Sequence, residues 1–318
     1  MAGESITTLI DQQKWLDPIG DRLQTAIQNA YTAGGPAGQQ VKQILSGTWL
    51  GHPLHPTLTD VPVGAWTVTA LLDGIEAATG RSEYAPGADA ALVLGLAGAV
   101  GAAVSGLSDW NWTVDRQRRI GLTHGLLNIG ATVLYGASLV CRLRGARGWG
   151  RGLALVGYGM AGFSAWLGGD LSFGQRLGMD HAPEASPSDF VPVLNENDLP
   201  EGQPRRVEAE GIAVMLVRQG GRIYALADSC SHLGGPLSEG QLEDGCIICP
   251  WHASRFALAD GRVLDAPATF PQPCYQTRVR NGKIEVGGPR SDATAATTTL
   301  TGQQNSVTGT QSVAGARS

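Results

Sequence analysis

Residues 230–240 read CSHLGGPLSEG, and residues 249–256 read CPWHASRF. Cys230 and His232 form a C-x-H pair, Cys249 and His252 form a C-x-x-H pair, and 16 residues separate the two. Two thiolates and two imidazoles converging from two loops can bind zinc or a [2Fe–2S] cluster. Zinc sites commonly pair two cysteines and then two histidines. Here each pair is mixed. That suits two irons with different ligands, the cysteines on an inner iron and the histidines on an outer, solvent-near one.

The flanking sequence predicts a small all-β domain. Short alternating or β-branched runs occur at 212–217, 222–227, 246–249, 262–264, 275–279 and 283–286. Turn signals separate them: Gly220-Gly221, Asp260-Gly261 and Asn281-Gly282, the last a strong hairpin signal. Residues 183–189 (PEASPSD) read as linker. From 291 onward the chain is Thr, Ser, Gln, Gly and Ala, which cannot bury a core and predicts disorder. Cys246 and Cys249 form a C-x-x-C, but residues three apart on a strand point to opposite faces. Cys274 and Cys141 read as buried apolar residues. Five cysteines in 318 residues exclude a disulfide-rich secreted scaffold. With 23 Lys+Arg against 28 Asp+Glu, the chain lacks the cationic balance of a general nucleic-acid binder.

The N-terminal half is of another kind. Residues 120–141, 90–108 and 152–169 carry no charge over 22, 19 and 18 residues, each close to a bilayer span. A weaker apolar run, 61–72, lies between Asp60 and Asp73. Ala97 with Gly101, Gly98 with Ala102, and Gly157 with Ala161 are small-xxx-small pairs that let helices pack closely in lipid. Ahead of the spans, Ile6, Leu9, Ile10, Leu16, Ile19, Leu23 and Ile27 recur at near-helical spacing, and 34–38 ends the pattern. No secretory signal opens the chain. The expectation is a multidomain α + β protein. An amphipathic N-terminal helix (1–45) leads into a four-helix transmembrane bundle (46–172). A linker (173–189), the all-β domain (190–288) and a disordered tail (289–318) follow.

Residues 190–287 resemble a Rieske [2Fe–2S] domain. The resemblance rests on the two ligand pairs, on Gly234-Gly235-Pro236-Leu237 and Gly240 after the first, and on Phe256, Gly261 and the Pro267/Pro271 segment after the second. It implies that Cys230, His232, Cys249 and His252 hold the cluster. Respiratory members carry an extra cysteine in each loop; here Gly235, or its neighbour, and Trp251 take those places. The tyrosine that donates to a ligand sulfur in high-potential members is Phe256, and Ser254 stands where a hydroxyl often donates to a bridging sulfide. Fewer donors to sulfur lower the potential, toward the lower half of the range of about −150 to +300 mV. This is similar to ferredoxins that serve oxygenases and nitrite reductases. Rieske oxygenases add a second domain with a mononuclear iron on two His and a carboxylate. Only 66 residues follow His252 here, none of them histidine. The expected role is an electron carrier for a reductase, oxidase or oxygenase partner, not a catalyst.

Residues 47–66 (GTWLGHPLHPTLTDVPVGAW) resemble a bacterial four-helix membrane family of unknown function with an HPLHP signature. SGLSDW at 105–110, His124 and WLDPIGDRLQ extend that resemblance to about 12–180. With four spans, His52, His55, Asp60, Asp109, Trp110, His124 and Asp170 share one membrane face with the cluster domain. Intramembrane His and Asp suggest a site. His55 with His124 could ligate haem b or a metal, bind a quinone, or hydrogen-bond across the bundle. His181 reads as linker surface. Lys and Arg counts leave orientation open, while cluster assembly in the cytoplasm favours a cytoplasmic cluster domain on a multi-pass protein of the cell membrane. A redox or nitric oxide sensor and a transmembrane electron-transfer unit with haem are the alternatives to a simple carrier.

Overall fold

The computed structural model describes residues 2–290; the tail expected from 289 onward falls almost wholly outside them. The N-terminal half contains seven α-helices among the described residues: α1 (Ala2–Asp11), α2 (Asp17–Ala33), α3 (Gly35–Ser46), α4 (Leu54–Thr79), α5 (Ala85–Trp110), α6 (Asp115–Leu143) and α7 (Arg147–Gly169). The expected count of four spans plus one amphipathic helix is corrected at the N-terminus. Pro18 and Pro36 fall in the first turns of α2 and α3. Proline there has no amide to continue a preceding helix, and Gly35 adopts φ +53° at the α2–α3 junction. The apolar stripe is therefore cut into three pieces. These fold over one end of the remaining four helices, where Arg119 bonds Asp17 at 2.9 Å, Arg116 bonds Thr7 at 2.9 Å and Tyr31 bonds Ser108 at 3.0 Å.

Helices α4–α7 are a duplicated hairpin. Adding 69 to an α4 number gives its α6 counterpart, and adding 62 does the same from α5 to α7. His55 pairs with His124, their rings 6.3 Å apart. Trp66 stacks on Tyr135 at 4.1 Å. Asp73 accepts from Arg142 at 2.9 Å. The three pairs run along the axis between α4 and α6. Each hairpin repeats the same internal contacts. The His55 and His124 Nδ1 atoms each lie 2.8 Å from a carbonyl, of Ala102 and Ser164 respectively. Thr69 and its counterpart Ser138 donate to Ala88 and Gly150. A Cβ at Gly95 would overlap the Trp66 indole, and one at Gly157 would press on Tyr135. Fully buried Leu92 matches Ala154. A pseudo-two-fold axis thus relates the hairpins.

The C-terminal half is β. Strands β1 (Val191–Asn195), β2 (Arg205–Ala209), β3 (Ile212–Gln219), β4 (Arg222–Ala227), β9 (Cys274–Arg280) and β10 (Lys283–Pro289) form an antiparallel six-stranded sheet in the order β1-β10-β9-β4-β3-β2. Strands β5 (Gln241–Glu243), β6 (Cys246–Ile248), β7 (Arg255–Ala257) and β8 (Val263–Asp265) form a second sheet. Positive φ at Asn281 (53°) and Gly282 (72°) closes the β9–β10 hairpin where the sequence signalled it. β3 is buried on both faces. Val214 and Leu216 pack with Ile284 and Val286, while Met215 and Val217 pack with Phe256 and Leu258 against the second sheet. The second core also encloses Cys230 and Cys249.

Candidate functional site

Cys230 and His232 lie on the loop after β4; Cys249 and His252 lie on the turn joining β6 to β7. Backbone bonds fix both loops. Gly234 N–H donates to Cys230 O at 2.8 Å and Cys230 N–H to Gly235 O at 2.9 Å. Cys249 N–H donates to Ser254 O at 2.8 Å and Ala253 N–H to Cys249 O at 3.0 Å. Gly234 at φ +79° supplies the left-handed turn of the first loop. In the second loop Ala253 holds φ +57°, an uncommon conformation for a residue with a Cβ, retained beside a ligand turn. Gln272, from a third loop, accepts from Ser231 N–H at 3.0 Å and donates to Ala227 and Ser229 carbonyls.

The loops bring the four side chains into two pairs. Cys230 and Cys249 are buried and in hydrogen-bonding contact. The His232 and His252 rings are perpendicular, 5.0 Å apart. Two rings bonded to one metal at about 2 Å stand about 5 Å apart at a tetrahedral angle. The described residues hold no single point on which three His, Cys, Asp or Glu converge. Two irons with two ligands each need no such point. The protonation states suit the same use. The hydrogen bond from Cys230, aided by the Trp251 and His252 amides, brings the Cys249 thiol down to about 7 against the cost of burial. Sharing that bond and burial push the Cys230 thiol up. Burial, with His252 beside it, takes His232 down to about 3, and burial also lowers His252. Both imidazoles are therefore neutral at pH 7, as metal ligands must be.

The surroundings fit an iron–sulfur group. Ser254 is fully buried and its Oγ accepts from Ala268 N–H at 3.0 Å, which leaves its own hydrogen to donate. A Cβ at Gly235 would lie 2.9 Å from the Trp251 ring and 3.1 Å from Cys249 Sγ. Gly235 and Trp251, which with the neighbour of Gly235 were matched by resemblance to the extra cysteine positions of respiratory members, are in contact. All five cysteines are free thiols. Cys246 turns away from Cys249, donating to Glu243 O at 2.8 Å under the Arg255 guanidinium.

The histidine edge faces the helical half. Trp112, in the α5–α6 connection, lies edge-on to His252 at 6.0 Å. Lys42 of α3 sits 5.0 Å over Trp112 and donates to Ala266 O at 2.6 Å; Gln43 donates to Leu264 O at 3.0 Å. A cavity of about 30 Å³ separates His232 and Phe270 from Pro53 and Asp109. His181 is half-buried rather than linker surface, with its N–H on Ser231 O at 2.9 Å and its carbonyl accepting from Ser229 Oγ at 3.2 Å. Among the other sequence-selected residues, His55 and His124 are brought together, Asp170 accepts from Gln175 at 2.7 Å, and His52 and Asp60 are exposed. Lys42, Gln43 and Trp112 carried no signal of their own, since a docking contact has no sequence period.

Paired thiols behind paired neutral imidazoles, on two loops of a β domain, define an iron–sulfur electron-transfer protein. The chain belongs to the Rieske [2Fe–2S] family. Residues 189–276 match the Rieske [2Fe-2S] domain, and residues 51–181 match a family described as predicted membrane protein (DUF2231). It is 39% identical over 95 residues to the 3-phenylpropionate/cinnamic acid dioxygenase ferredoxin subunit of Escherichia coli K12, which covers 30% of this chain and 89% of that protein. It is 36% identical over 114 residues to human Apoptosis-inducing factor 3, covering 35% of this chain but only 19% of that protein. The ferredoxin of carbazole 1,9a-dioxygenase from Nocardioides aromaticivorans IC177 aligns at 31% identity and TM-score 0.31, over 32% of this chain and 99% of that one.

Proposed function

We propose that this chain is a membrane-anchored electron carrier in which Cys230 and Cys249 hold one iron of a [2Fe–2S] cluster and His232 and His252 the other. The observation that carries the reading is the segregation of the four side chains into a thiol pair and an imidazole pair 5.0 Å apart. When bound, the cluster supplies one-electron chemistry. The chain's own residues do the rest. The His232 and Leu233 amides bond the Cys230 sulfur, the Trp251 and His252 amides bond the Cys249 sulfur, and burial keeps water from the thiols. Phe256, fully buried in the core that encloses both cysteines, brings no hydroxyl. With free thiols throughout, this supports a potential in the lower half of the Rieske range, that is below about +75 mV.

The anchor reading rests on the helix exteriors. Ser82–Trp110 and Asp115–Leu143 are 29 residues each; their most apolar 18-residue stretches have mean hydropathy 2.0 and 1.5, and only 22% of each stretch is buried. A core helix of a soluble protein would be buried. Here Val93, Leu94, Val100, Leu126, Ile129 and Val133 face outward, as lipid requires. On this reading α4–α7 all cross the bilayer, and the cluster domain lies on the side of the termini, in the cytoplasm. The partner is an oxidoreductase, since the Escherichia coli relative is by name a dioxygenase's ferredoxin subunit. The docking of Trp112 against His252 favours a second reading, in which electrons pass between cluster and helices of the same chain.

The test is an optical and EPR spectrum of the detergent-purified protein, oxidised and dithionite-reduced. Cys230→Ser, His232→Ala, Cys249→Ser and His252→Ala each lose the [2Fe–2S] signal. Retention of the signal in all four overturns the assignment.

A further inference from the structure

The duplicated hairpin carries a second histidine pair. We propose that His55 and His124 form a bis-imidazole site that takes one metal centre, on the pseudo-two-fold axis between α4 and α6. Three observations carry it.

The first is the proton position. A carbonyl oxygen can only accept. The Ala102 and Ser164 carbonyls at 2.8 Å therefore require hydrogen on Nδ1 of both histidines. In the neutral rings both Nε2 atoms then carry the lone pair: that of His55 accepts no hydrogen bond among the described residues, while that of His124 accepts from Asn128. This backing of a ligand histidine by a carbonyl is the usual support of a metal site. Asn128 Nδ2 lies 3.1 Å from His124 Nε2, as a donor to that lone pair. Its counterpart in the other hairpin, Thr59, donates instead to Pro56 O, and no hydrogen bond is made at His55 Nε2 among the described residues.

The second is the separation. The rings are perpendicular with centroids 6.3 Å apart. Two rings bonded at about 2 Å to one centre stand about 6 Å apart when opposed across it. The third is the construction behind the rings. A Cβ at Gly106 would come within 2.8 Å of the His55 ring, and one at Gly168 within 3.2 Å of the His124 ring. Both hairpins place a glycine there, so both rings seat against a helix backbone in the same pose.

No third His, Cys, Asp or Glu joins the pair among the described residues. The centre must accept only two protein nitrogens. Haem iron, with its other positions filled by the porphyrin, does so, and so does a cuprous ion. The site lies at the end of the bundle that meets the cluster domain. Pro53, two residues before His55, and Asp109, one turn beyond Gly106, line the cavity shared with His232.

The experiment is titration of the detergent-purified full chain with hemin and, separately, with Cu(I) under a competing chelator. One equivalent of one probe binds; a shifted Soret band identifies haem, and chelator competition identifies copper. His55→Gln and His124→Gln keep an amide N–H for the carbonyl but remove the imidazole nitrogen, and each weakens binding about 100-fold or more. The cluster EPR of the same samples reports folding. Cys249→Ser, which removes the cluster, leaves the titration unchanged, so this site and the cluster assignment fail separately. Absence of saturable binding of both probes overturns the proposal, as does wild-type affinity in both glutamine variants.

Discussion

The two perpendicular histidine pairs of this chain are built in opposite ways. His232 and His252 stand 5.0 Å apart on loops, with two buried thiols behind them. His55 and His124 stand 6.3 Å apart on helices, with two main-chain carbonyls behind them. The shorter distance suits two rings side by side on one tetrahedral iron; the longer suits two rings opposed across a centre. Loops can bring two ligands close on one side of a metal because each loop bends to place its own residue. Straight helices related by a two-fold axis face each other and place their ligands on opposite sides. The geometry of each pair therefore follows from the element that carries it.

The largest expected effect separates the pairs outright. Cys249→Ser abolishes the [2Fe–2S] absorption and EPR signal and loosens the β6–β7 turn, detected as protease cleavage near Trp251. Far-UV circular dichroism still shows the helices at full amplitude, because among the described residues no backbone hydrogen bond from α4–α7 ends on that turn. A helical half that collapses with the turn would mean that the halves fold as one unit.

Next in size is the axis of the helical pair. Asp73 accepts from Arg142 at 2.9 Å, with side chains 8% and 1% exposed. Asp73→Ala leaves Arg142 with Asp89 and the Ser138 hydroxyl and costs about 3 kcal/mol, the low end for a broken buried pair, read as a lower thermal midpoint in detergent. The pseudo-two-fold makes a sharper test. Exchanging the charges, Asp73→Arg with Arg142→Asp, places each group on its own symmetry counterpart. The double variant is more stable than either single one, though below wild type because Arg147 and Asp89 break the symmetry. If the double variant is as weak as the worse single one, the duplication has no energetic meaning.

The sequence showed these two regions unequally, for physical reasons. The four cluster residues were readable because metal chemistry fixes residue type and spacing in adjacent loops. Strands β3, β4, β9 and β10 were readable from alternation and from Asn281-Gly282. Of the three-residue strands, β6 and β8 overlapped apolar runs and β5 and β7, with charged residues in them, did not; the five-residue β1 and β2, broken by Pro192 and by Arg205, Arg206 and Glu208, were missed as well. Apolar length disclosed α4–α7, but charge counting and apolar periodicity missed Pro18 and Pro36 as breaks in the N-terminal stripe. The duplication escaped because its halves share few identities. It pairs Trp66 with Tyr135, Asp73 with Arg142 and Thr69 with Ser138, so what repeats is the contact rather than the residue. His55 and His124 were singled out together as a candidate pair, and only the fold makes them symmetry equivalents.

A smaller effect tunes the loop pair. Phe256 is fully buried in the core that holds Cys230 and Cys249. Phe256→Tyr introduces a hydroxyl into the core that also holds both ligand sulfurs, and on the proposed reading it donates to one of them. A hydrogen bond of about 1 kcal/mol favouring the reduced state raises the potential by about 40 mV, measured by redox titration of the EPR signal. An unchanged potential would show that the ring's far edge points away from the sulfurs and that the low-potential argument from this position is wrong.

The smallest effect concerns how the helix bearing His124 is held. Arg119, five residues before it, is 4% exposed at its side chain and bonds Asp17 at 2.9 Å. That hydrogen bond, with Arg118 adding to it against the cost of desolvation, holds the Asp17 carboxyl below its ordinary 3.8. A carboxylate depressed in the folded state contributes stability above its unfolded value and loses it as pH falls through the folded one. The attachment of α2 to α6 is therefore constant from neutral pH down to about 4 and weakens below that. Hydrogen exchange of residues 17–33 should accelerate only in that acid range, and Asp17→Asn should make it fast and pH-independent after correction for intrinsic exchange. The β6–β7 turn has no bond to Asp17, so its protection is unchanged by the variant. Acceleration that begins near pH 6 would instead implicate a histidine, and the anchor of the helical pair would have to be sought at His124 itself.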